Sequence, residues 1–198
     1  MAMTALATTA LTSSAPTSPI FPRSRMLIHP GRFNPVRINS LQAQKARHVR
    51  LSLRPGTSLF HGLVDALAEI DIHHASTTIL GGDFEALSYC VAPPDPTGQA
   101  IIAYSKPIDA GHATMVFGNA TLGVSLTGAP LVHCHAVVRR QDGNVRGGHV
   151  ITEDSIVGAL PISVLVTALD GFELRQSFDP ETNIPLLQPF RAEMRQAL

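Results

Sequence analysis

From residue 75 onward the chain is a succession of short β-prone runs separated by glycine and turn residues, a pattern that excludes a helical bundle. The runs fall at 75–80, 84–91, 100–104, 113–117, 122–126, 132–139, 145–151, 162–168 and 172–177. Asp95-Pro96-Thr97-Gly98, Gln141-Asp142-Gly143-Asn144 and Asp170-Gly171 mark turns between them, so neighbouring strands should pair antiparallel. Upstream, Val49, Leu51 and Leu53 alternate with polar residues as in a half-buried strand, and Arg54-Pro55-Gly56 turns the chain. Thr57 or Ser58 can then cap a helix whose apolar stripe is Leu59, Leu63, Ala66, Leu67 and Ile70, with His61, Asp65 and Glu69 on the opposite face. One helix packed on a mostly antiparallel sheet makes an α+β domain.

With 198 residues, 44% of them hydrophobic, the chain can bury one sizeable core. No apolar run approaches the roughly 20 residues of a membrane-spanning helix. The two cysteines, Cys90 and Cys134, are too few for a disulfide framework and lack C-x-x-C spacing, which fits a reducing, cytoplasmic setting.

Net charge is zero, yet it is unevenly spread. Of 15 basic residues, Arg23, Arg25, Arg32, Arg37, Lys45, Arg47, Arg50 and Arg54 all lie in residues 1–54, where there is no Asp or Glu. We read residues 1–45 as a basic, acid-free leader, disordered over its Ala/Thr/Ser/Pro-rich first part, residues 46–190 as the domain and 191–198 as a tail. The leader could touch nucleic acid, act as an organellar transit peptide or line a subunit contact with the acidic body. Met26 is an alternative start.

The segment that carries chemistry runs from Leu131 to His149. Side chains at i and i+2 of a strand share a face, so His133 and His135 point together and Cys134 points away. Whether His149 joins them depends on register. A two-residue Asp142-Gly143 loop puts His149 on the wrong side. A three-residue loop, Gln141-Asp142-Gly143, with Gly143 in the left-handed region as a bulge, sets His149 directly opposite His135. Three neutral imidazoles suit Zn²⁺ and leave a fourth position for water or substrate. Asp83, Glu85, Glu153 or a residue from another subunit are candidate fourth ligands, Asp83 and Glu85 also candidate bases for a zinc-dependent reaction, and no catalytic residue is identified. His73, His74 and His112 read as loop or strand-edge residues.

At these residues the chain resembles the PPC (also PCC) domain, conserved in plants and prokaryotes. The resemblance lies in His133-Cys134-His135, Asp142-Gly143 and Gly147-Gly148-His149. It extends to Leu53-Arg54-Pro55-Gly56, Ser125-Leu126-Thr127-Gly128 and Phe178-Asp179-Pro180-Glu181-Thr182. It implies a homotrimer with the histidines holding a metal near a subunit boundary. Plant relatives join the domain to AT-hooks, which bind AT-rich DNA. This chain has no R-G-R-P hook and an acidic body, so it resembles a bacterial member. Two readings follow: a cytoplasmic metal-binding protein, enzyme or sensor, acting on a small molecule, or a DNA-associated regulator using the basic leader.

Overall fold

The computed structural model describes residues 27–36 and 39–191. The first part of the leader, Arg37 and the tail beyond Arg191 lie outside the described residues. Among the described residues, ten strands and one helix follow in the order β1 His48–Leu53, α1 Leu59–Ala68, β2 Ala75–Ile79, β3 Gly82–Cys90, β4 Ile108–Val124, β5 Pro130–Arg140, β6 Val145–Val150, β7 Ile156–Val157, β8 Ile162–Ala168, β9 Phe172–Asp179 and β10 Ile184–Arg191. This is the mostly antiparallel sheet with one helix that the sequence predicts.

Helix α1 starts at Ser58, whose hydroxyl accepts the His61 amide hydrogen at 3.1 Å, while the Thr57 hydroxyl donates instead to the Arg54 carbonyl. Leu59, Leu63 and Leu67 are fully buried. The helix stops sooner than the apolar stripe implies: Asp71 takes a φ of 55°, the Ile72 amide turns back to the Leu67 carbonyl, and Ile70 is left exposed. Those three leucines pack with Leu53, Ile79, Phe84, Leu87, Met115 and Ile162 in one core.

The sheet runs in the order β1-β8-β2-β4-β5-β6-β3-β7, with β3 also paired to β4. Strands β4, β5, β6 and β3 therefore close on themselves in a ring of antiparallel pairings. Two predicted runs, 113–117 and 122–126, belong to one strand, β4. A bulge between Met115 and Phe117 breaks its alternation and leaves Val116 and Phe117 both exposed. The predicted strand at 100–104 is a loop: Ile102 bridges Pro94, itself outside the strands, the Ala103 amide donates to the Pro93 carbonyl and the Ile101 amide to the Thr182 carbonyl. Strand β10 was not expected, because Pro185 and Pro189 interrupt it. Among the described residues it pairs only with β9, an edge position where missing amide hydrogens are tolerated. Among the described residues no helix is long and apolar enough to cross a membrane.

Part of the leader is built into this body. The Gly31 amide donates to the Glu181 carbonyl, the Asn34 amide to a Glu181 carboxylate oxygen, and His29 Nδ1 lies 2.6 Å from the other oxygen. Arg47 clasps Asp170 through two nitrogens and donates to the Ile70 and Asp71 carbonyls.

Candidate metal centre

The site begins with a turn. Gly143 has a φ of 79° and its amide donates to the Arg140 carbonyl, while the Arg140 amide donates to Asn144. The loop is therefore the three-residue, glycine-bulged form. It sets the ladder in which His135 faces His149, as the sequence predicts. Gly148 follows from the same crowding, since a Cβ there would lie 2.2 Å from the Cys90 carbonyl oxygen.

Cross-strand pairing carries this face across the sheet. Leu165, Thr78, Asn119, His135, His149 and Cys90 form one row through successive partners. His133, two residues before His135, stands on the same face opposite Thr121. The three imidazoles converge: ring centroids are 4.9 Å apart for His133 and His135, 4.7 Å for His133 and His149, and 5.5 Å for His135 and His149. One nitrogen from each lies within 4.8 Å of the others. The Nε2 atoms of His133 and His135 are 3.1 Å apart. Two nitrogens bound tetrahedrally to one ion at ~2.0–2.1 Å stand about 3.3 Å from each other, so this pair already has ligand spacing.

Burial, then the neighbouring rings of His149 and His135, lowers the His133 pKa to about 4. Burial and the His135 ring also lower that of His149, against an opposing pull from Glu153. Both rings are thus neutral near pH 7 and offer lone pairs rather than protons. Among the described residues the buried His149 Nδ1 has no hydrogen-bond partner, a cost that metal binding by this ring nitrogen would relieve. The residues present fit a divalent ion.

Cys134 is excluded as the alternation predicts: it is fully buried on the core face, and burial pushes its thiol up to about 12. The carboxylates proposed as fourth ligands are not gathered in. Among the described residues the cluster contains only the three histidines. Asp83 accepts from the Thr114 hydroxyl, Glu85 lies beside His112 in a separate cleft, and Glu153 accepts from Thr152. His74 proves structural, its Nδ1 accepting the Leu174 amide hydrogen.

Two neighbours escaped the sequence. Cys90 reaches the histidine face because β3 pairs with β6, and the Tyr104 ring lies 5.1 Å from His149. Tyr104 comes from the segment misread as a strand. That segment is folded back by Asp95, which accepts from the amides of Thr97, Gln99 and Ala100.

Comparison with known proteins adds the following. The family model described as the Plants and Prokaryotes Conserved (PCC) domain matches residues 41–170. A metal-containing protein from Archaeoglobus fulgidus is similar in structure, at 20% identity and a TM-score of 0.57, over 76% of this chain and 98% of that one. So is a plant- and prokaryote-conserved protein from Pyrococcus horikoshii, at 16% identity and a TM-score of 0.57, over 77% and 100%. A third, a candidate DNA-binding protein from Ralstonia eutropha JMP134, shares 20% identity over 70% and 88%, with a TM-score of 0.57. No curated protein matches the chain.

Proposed function

The chain belongs to the Plants and Prokaryotes Conserved (PCC) domain family, and from that premise we propose that it is a metal-binding protein whose His133, His135 and His149 hold a zinc ion. The observation that carries this is the convergence of three imidazoles by a ladder whose register one glycine sets. The metal-containing relative from A. fulgidus supports it. Three protein ligands leave a fourth position at which a small molecule could be bound, sensed or acted on, and among the described residues the triad itself gathers no carboxylate. Elemental analysis of the native protein and of a His133→Ala, His149→Ala double variant tests this. Equal metal in both would sink it.

The protein works as a homotrimer on this reading. Support comes from the same outward face, where Phe117, Val137 and Leu165 stand exposed around the exposed His135. Sedimentation should give three times 21.1 kDa, and Val137→Asp should lower it. The unpaired, buried Cys90 and Cys134 support a cytoplasmic location.

A second reading, association with DNA, is favoured by the acid-free leader and by the R. eutropha relative. Arg47 is already committed to Asp170, so it has little charge to offer phosphate. Glutamine at Arg23, Arg25, Arg32 and Arg37 should then abolish a steeply salt-dependent affinity for duplex DNA. Binding that is absent or indifferent to salt would end this reading.

A further inference from the structure

Beside the histidines, a cleft of about 660 Å³ opens between the outer face of the sheet and the β9–β10 hairpin. Its floor is Thr121 and Leu131, and its roof includes Leu174, Gln176, Ile184 and Leu187. The roof can lie this close because Gly123 has no side chain: a Cβ there would meet the Leu174 carbonyl oxygen at 2.6 Å and Leu187 at 3.1 Å. His133 and His149 line the same cleft, together with Tyr104. The volume falls in the range of small-molecule sites, and the walls are chiefly aliphatic with a few polar groups. Among the described residues no Asp, Glu, Lys or Arg lines it.

These features select a ligand. A divalent ion on three neutral imidazoles keeps its full double charge, so its remaining position favours an anionic oxygen. The cleft beyond offers apolar surface and no cation of its own. We propose that the cleft binds a medium-chain aliphatic carboxylate, its head on the metal and its chain beneath the β9–β10 hairpin. This inference rests on the metal reading above and adds the chemistry of the ligand.

Octanoate titrated calorimetrically into the zinc-loaded full chain tests it, with acetate and octylamine as controls and the zinc content of every sample measured. Each buried methylene should tighten binding roughly fourfold. Octanoate should therefore bind at least a hundredfold more tightly than acetate, and octylamine should not bind. Removing zinc with a chelator should weaken octanoate at least tenfold, because nothing else in the cleft balances its charge. Leu187→Glu and, separately, Ile184→Glu should abolish octanoate binding while zinc content stays at the native level. The Ile184 substitution keeps the test valid if Leu187 proves necessary for folding. Zinc-loaded protein that binds octanoate no better than acetate, or equally well after chelation, overturns the inference and leaves the metal reading standing. Protein that takes up no zinc overturns both.

Discussion

His135 and His149 are direct partners across the β5–β6 ladder, and the register that pairs them is set six residues before His149, at Gly143. A β-branched side chain is disfavoured at a φ of 79° by roughly 1–2 kcal/mol, whereas asparagine tolerates that region. Gly143→Val should lower the unfolding free energy by about that amount and reduce zinc uptake. Gly143→Asn should leave both near native. Urea unfolding with metal analysis of the same samples checks the pair, and equal behaviour of the two variants would refute the role given to the turn.

Gly123→Ala should act on the hairpin rather than on the ladder. The added methyl meets backbone oxygen of Leu174, which cannot rotate away, so β9 and β10 must move outward. The expected cost is about 1–3 kcal/mol, as for other overpacked sites. Amide exchange should quicken in 172–191 and stay unchanged in β5 and β6.

The reach of sequence reasoning follows from which contacts are local. The β5–β6 turn encodes its own register, and the Ser58 cap announces α1, so the histidine triad and the helix start were legible. Cys90 and Tyr104 are not, because Cys90 meets His149 through a pairing of β3 with β6 that two intervening strands separate in sequence, and Tyr104 reaches His149 from an irregular loop. The sequence divides β4 into two runs because the bulge shifts the alternating pattern at Val116. Strand β10 was hidden by Pro185 and Pro189, which are harmless only at an edge. The carboxylates Asp83 and Glu85 follow a glycine pair that looks like a ligand loop, yet Asp83 accepts from Thr114 and Glu85 lines a separate cleft.

Leu63→Ala separates stability from the site. Leu63 is fully buried on the helix side of the sheet, and truncation there should cost about 2–5 kcal/mol. Zinc content per folded chain should not change, since the histidines occupy the opposite face. Loss of zinc in the still-folded fraction, read by elemental analysis after size exclusion, would contradict this separation.

Acid should loosen the Asp95 loop late. The Thr97 hydroxyl and three amides lower the Asp95 pKa to about 2. Because the folded value lies below the ordinary carboxylate range, the stabilisation is complete above about pH 4 and disappears as pH falls through 2. Carbon-detected titration should place the Asp95 midpoint close to 2. Asp95→Ala should disorder the path to Tyr104 at neutral pH, seen as faster exchange of the Ala103 and Ser105 amides. A midpoint near 4 would overturn the assignment.

Glu181, 4% exposed, sits at the turn that joins the two strands of the cleft's roof, and it is held there by His29 and Asn34. The family match starts at residue 41, after both. A protein trimmed to that boundary would keep all three histidines and lose the upstream hooks that fasten the hairpin turn. Residues 29–34, in the segment that reads as a leader, are thus packed against the hairpin turn, upstream of the stretch that defines the family.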